Sequence, residues 1–72
     1  MSYLEWTPRE MYDALLEAIE QGPFEQQQLV QRTDEAFAYI EAHDERMAAE
    51  DVLGLRVLLA QAETLIGRYF GM

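Results

Sequence analysis

The chain has 72 residues, with fourteen acidic side chains against five basic ones, a net charge of −9, one His and no Cys. All five bases are Arg. This composition excludes disulfides and a Cys-based zinc set, and argues against direct contact with nucleic acid or an anionic membrane. Half of the residues are apolar, too many for a disordered acidic tail.

The length points to a single helical domain over residues 1–72. A chain this small buries a limited share of its surface and has no covalent staple, so close helix packing or association must stabilise it. Met1-Ser2-Tyr3-Leu4-Glu5-Trp6 has neither a basic start nor an apolar stretch, so it does not read as a secretory leader. The longest apolar run, Ala36 to Ile40, lies between Glu35 and Glu41 and is too short to span a membrane. The expected compartment is the cytoplasm.

Thr7-Pro8-Arg9-Glu10 opens the first predicted helix, over 8–21. It is a capping box with Pro at the first helical position, and Trp6 and Met11 are spaced for a hydrophobic staple. Met11, Tyr12, Leu15, Leu16 and Ile19 follow as one apolar stripe, with Glu10, Asp13, Glu17 and Glu20 opposite. Gly22-Pro23 is expected to end the helix through a left-handed cap at Gly22.

No proline interrupts the chain from Phe24 to Phe70. Leu29, Val30, Thr33, Ala36, Phe37, Ile40 and Met47 share one helical face; Leu55, Leu58, Leu59, Ala62, Leu65, Ile66 and Tyr69 share another. The two stripes stay nearly in phase, so one helix of roughly 70 Å, in a dimerising hairpin or coiled coil, is an alternative. Asp44 and Asp51 argue against it, because a continuous helix would bury both unpaired. A turn within 43–49 removes both from the core and puts Glu50 and Asp51 in the first turn of a third helix, where the macrodipole favours them. The sequence therefore predicts an all-α three-helix bundle, with helices over 8–21, 24–43 and 49–69. The closing segment Gly67-Arg68-Tyr69-Phe70-Gly71-Met72 reads as a helix end with a short aromatic tail, in which Tyr69 continues the stripe, Phe70 packs at the rim and Gly71 caps the helix.

Chemistry has little to work with. His43 has Tyr39 and Met47 as its helical neighbours, and the position three residues before it is Ile40, where a helical di-iron site needs Glu. It reads as an exposed His beside a turn. Ser2, Thr7, Thr33 and Thr64 have no base-and-orienter set beside them, and there is no glycine-rich phosphate loop. The adjacent carboxylates Asp34-Glu35, Asp44-Glu45 and Glu50-Asp51 read as solvated faces rather than a general acid–base pair. No catalytic, cofactor-binding or metal-binding residue is predicted, and no enzyme activity.

The surface is more informative. Glu10, Asp13, Glu17 and Glu20 line one face of the first helix, while Glu41, Asp44, Glu45, Glu50 and Asp51 crowd the second connection. Such sets keep a protein soluble, and they also steer association with a basic partner. Leu53 and Val57 lie four residues apart, away from the third helix's apolar stripe. Phe24 and Tyr39 lie off the stripe of the second, and Tyr3, Leu4 and Trp6 precede the first. Trp6, Leu53 and Val57 are the candidate anchors for a partner; the alternative for Tyr3, Leu4 and Trp6 is a lid folded over the core.

Leu58-Leu59-Ala60-Gln61-Ala62-Glu63-Thr64-Leu65-Ile66, with the chain's size and Gln- and Ala-rich character, is similar to the small helical hairpins that act as co-chaperones in bacterial type III secretion. The likeness covers these nine residues and is that of a generic amphipathic helix, so it identifies no family.

The expected role is a non-catalytic acidic module that binds and regulates, inhibits or chaperones a larger, basic-surfaced protein. Three alternatives stand beside it: a polyanion mimic, such as a phage-type inhibitor of a nucleic-acid enzyme; a secretion-type co-chaperone; and a homodimeric structural subunit.

Overall fold

The computed structural model describes residues 2–71. Met1, of the N-terminal segment, and Met72, of the closing segment, lie outside the described residues. A 3-10 turn over Tyr3–Glu5 is followed by α1 (Pro8–Glu20), α2 (Gln26–His43) and α3 (Ala49–Phe70). Each helix packs against both others, and the 3-10 turn packs on α2. The longest dimension is 35 Å, half of what one continuous helix would need, so the three-helix bundle is the architecture.

α1 starts as its capping box dictates. The Glu10 amide donates to the Thr7 hydroxyl at 3.2 Å, and the Thr7 amide donates to the Glu10 carboxylate at 2.9 Å. Met11, Leu15 and Ala18 then bury one face. The chain leaves α2 through a turn in which the His43 carbonyl accepts from the amides of Arg46 and Met47 at 2.8 and 3.0 Å. Asp44 and Asp51 end up exposed, with Glu50 and Asp51 in the first turn of α3. α3 ends at Gly71, whose φ of 70° is the left-handed conformation and whose amide bonds the Gly67 carbonyl.

Gly22 works differently from the expected left-handed cap. Gly71 is the only glycine at positive φ among the described residues, and the C-cap of α1 is Gln21 in a right-handed conformation. Gly22 is buried, and a Cβ built there would stand 2.8 Å from the Tyr69 hydroxyl and 3.1 Å from the Ile19 carbonyl. The position favours glycine because Tyr69 of α3 rests its hydroxyl on the end of α1, and a Cβ there would push that side chain aside. α2 also begins two residues later than expected, at Gln26, leaving Phe24 88% exposed in the connection.

The core joins Met11, Leu15 and Ala18 to Leu29, Ala36 and Ile40 of α2 and to Leu55, Leu58, Leu59 and Ala62 of α3. Thr33, the one buried polar residue among those described, donates to the Leu29 carbonyl at 2.7 Å. Two α2 residues reverse their expected places. Tyr39 is 2% exposed and Phe37, assigned to the stripe, is 42% exposed. They flank the Leu29–Ile40 stripe at about 80° on either side, and the N-terminal segment covers only the Tyr39 flank. There the Tyr39 hydroxyl donates to the Trp6 carbonyl at 2.6 Å. His43, expected to be exposed, is half-buried; its ring lies 4.5 Å from that of Tyr39, and its Nε2–H donates to the Leu4 carbonyl at 2.7 Å. The Arg32 guanidinium sits 5.4 Å from the centre of the Trp6 ring and pairs with Glu35 at 2.6 Å. Residues 3–6 thus form a strap bound along one flank of α2.

Gly22→Ala is expected to destabilise the fold by about 1 kcal/mol, the cost of displacing the Tyr69 ring from the end of α1, measurable by urea unfolding. Burial, reinforced by the charges of Glu10 and Asp51, holds the Tyr39 phenol above its ordinary pKa. The folded chain therefore keeps this proton where the unfolded chain loses it. The stability tied to it is complete below about pH 10 and falls as pH rises through the folded-state value. Tyr39→Phe is expected to lower stability at pH 7 and to remove this alkaline loss in thermal melts from pH 8 to 11.

Candidate interaction surface

Glu10, Asp13, Glu17 and Glu20 are all exposed on the side of α1 away from Met11 and Leu15. Three already have local work. Glu10 closes the capping box, Asp13 pairs with Arg9 at 3.2 Å, and Glu17 accepts from the Gln21 amide group at 3.3 Å. The Arg9–Asp13 pair is solvated at both ends and contributes little to stability.

Glu41, Asp44, Glu45, Glu50 and Asp51 are also exposed, but the fold divides them. Glu50 and Asp51 face the start of α1, where with Pro8, Arg9, Tyr12 and Gly54 they line a groove of about 210 Å³. Pro8 and Arg9 share this groove with Glu50 and Asp51, so the first turns of α1 and α3 meet there. Asp44 lies on the other side of α3, beside Met47, Ala49, Val52, Leu53 and Arg56, around a shallow depression of about 370 Å³.

The apolar candidates separate in the same way. Leu53 is 64% and Val57 50% exposed, on the outer face of α3. Trp6 is half-buried, packed against the core and beneath Arg32, so it serves the strap rather than standing free. Tyr3 and Leu4 fold back with it, Tyr3 meeting Trp6 edge-on at 6.5 Å.

Sequence reasoning missed one surface. Tyr3 of the strap, Val30 and Asp34 of α2 and Phe70 at the end of α3 surround an open apolar groove of about 590 Å³, with Gln27, Gln31 and Glu35 on its walls. It joins three segments distant in sequence, so no local spacing announces it. Val30 and Phe70 gave the only signal, as apolar residues at the edges of their stripes.

His43 is engaged with a backbone carbonyl, and among the described residues no group of three or more His, Asp or Glu side chains could hold a metal ion. No described helix is long and apolar enough to cross a membrane. No protein-family model, curated protein or solved structure matches the chain.

Trp6→Ala is expected to cost about 1–3 kcal/mol, a half-buried fraction of a core aromatic truncation. Leu53→Ala and Val57→Ala are expected to stay within about 0.5 kcal/mol of the parent chain. Chemical denaturation of the three variants in dilute solution, where any association of the chain is lost, checks the assignment of strap and outer surface.

Proposed function

We propose that this protein is a non-catalytic acidic interaction module that docks onto a basic surface of a larger protein and regulates or chaperones it. The observation that carries the reading is the exposure of acidic groups that the fold does not use. Glu20, Glu41, Asp44 and Glu45 lie outside the capping box and the first turns of α1 and α3, and no ion pair or side-chain hydrogen bond engages them among the described residues. Carboxylates in water at these positions steer a cationic partner and fade in influence as salt screens them. Glu50 and Asp51, beside the groove at the start of α1, extend the acidic surface along one end of the bundle.

The cytoplasm is the compartment this reading suits, where a chain without Cys loses nothing to a reducing environment. The role belongs to the surface as a whole, with rim charges setting encounter rate more than residence time.

The test is affinity capture with the purified chain from cells of its own source, across a salt series, beside a variant carrying Glu20→Gln, Glu41→Gln, Asp44→Asn and Glu45→Gln. A basic protein retained at low salt, and lost about tenfold on neutralisation, is the expected outcome. Retention unchanged by neutralisation and by salt would overturn the reading. Displacement of the captured protein by DNA would show that the acidic surface occupies a nucleic-acid site.

A further inference from the structure

The outer face of α3 carries a pattern that the bundle does not use. Leu53, Val57, Ala60, Thr64 and Gly67 recur at intervals of four and three residues, the spacing of a two-helix seam. The first four are exposed and Gly67 is half-buried. Large residues occupy the start of the seam and small ones its end.

Charges border the seam on both sides. With Leu53 as the reference, Arg56 and Glu63 fall about 60–80° to one side, and Glu50 and Arg68 about 60° to the other. All four are exposed. None has an opposite charge three or four residues away within α3, whereas Arg9–Asp13 and Arg32–Glu35 pair at those spacings on α1 and α2. Glu50 and Arg68 stand at the ends of α3 that its macrodipole favours, while Arg56 and Glu63, mid-helix, have no such placement on their own helix.

Antiparallel pairing about a two-fold axis brings the same flank of two identical helices together. Arg56 would then face Glu63 when the axis crosses midway between positions 59 and 60. Glu50 would face Arg68 when it crosses at position 59. The two demands agree to half a residue, less than about 1 Å along the helix. The same register sets Leu53 over Thr64 and Gly67, and Val57 over Ala60 and Thr64, large side chains onto small ones.

We propose that the outer face of α3 docks onto the same face of a second copy of this chain. The pairing is antiparallel with its axis near Ala60, held by Leu53 and Val57 and keyed by Arg56–Glu63 and Glu50–Arg68 pairs between copies. Charge complementarity identifies the occupant, because a pattern that matches itself under reversal fits another α3. Direction follows as well: parallel pairing would stack the two Glu41–Asp51 regions at one end, while antiparallel pairing places them at opposite ends. Phe37, beside Arg56, Leu59, Ala60 and Glu63 around a notch of about 220 Å³, extends the apolar face on one flank. The proposal rests on α3 and shares only Glu50 with the acidic docking surface; Glu20, Glu41, Asp44 and Glu45, neutralised in the capture test, take no part in the seam, so the two readings fail separately.

The test combines mass with cross-linking. Sedimentation equilibrium is expected to give twice the chain mass of 8.4 kDa at high concentration, with dissociation on dilution. Arg56→Glu and Glu63→Arg are each expected to weaken the dimer about tenfold, and the double variant to restore it. The chain has no Cys, so single cysteines report position cleanly. Ala60→Cys is expected to form an intermolecular disulfide on mild oxidation. Leu53→Cys is expected not to, because its two copies would lie about 19 Å apart along the helices. Circular dichroism confirms that each surface variant keeps its helices. A monomer at every concentration, a charge swap that fails to restore the dimer, or efficient Leu53→Cys cross-linking would each overturn the proposal.

Discussion

A carboxylate cannot be buried alone, and that constraint shapes this bundle. α2 and α3 carry apolar stripes nearly in phase, and two acidic residues, Asp44 and Asp51, stand where a straight continuation would take them inside. The chain turns between His43 and Ala49 instead, both carboxylates reach water, and the stripes fold onto each other. Only then do Leu29, Ala36 and Ile40 meet Leu55, Leu58 and Ala62, leaving a trough for α1 to close with Met11, Leu15 and Ala18. A core assembled by three short helices needs no staple when each contributes a continuous apolar face.

The helices were legible in the sequence because their signals are local. A capping box, a Pro at the first helical position, a Gly at the end and a 3.6-residue period act within a turn or two, and α1 and α3 lie within a residue of their expected ends. What reading by period misses is what reaches across the fold. Tyr39 and Phe37 flank their stripe symmetrically, so the wheel alone cannot say which one is buried. The strap decides it by lying on the Arg32–Tyr39–His43 flank. Gly22 shows the same limit: its neighbour Pro23 suggested a cap, whereas its reason is Tyr69, 47 positions further on.

The candidate surface was legible in part. Exposure of Leu53, Val57 and the acidic sets follows from where the stripes point, and the structure leaves them in water. Trp6 does not follow, because its indole is covered by a cation and a core that arrive from α2. The acidic residues also divide by task. Those beside helix N-termini, Glu10, Glu50 and Asp51, offset the positive ends of α1 and α3, a stabilising placement that holds for any partner or none. Those at the far end of α1 and around the α2–α3 turn have no such structural duty.

The strap's two bonds to side chains join residues 33 and 39 positions apart, against three or four for the capping box and the local ion pairs. During synthesis the strap precedes its partners Tyr39 and His43, which follow only after α1 and most of α2 have been made. Trp6 thus stays uncovered while the 33 positions up to Tyr39 are added. In the finished molecule the same separation makes the strap a unit of its own. Releasing two carbonyl acceptors and one indole frees residues 3–6 while the three-helix core stays closed, so backbone amides of the strap exchange with solvent through a smaller opening than those of Leu29 or Leu58.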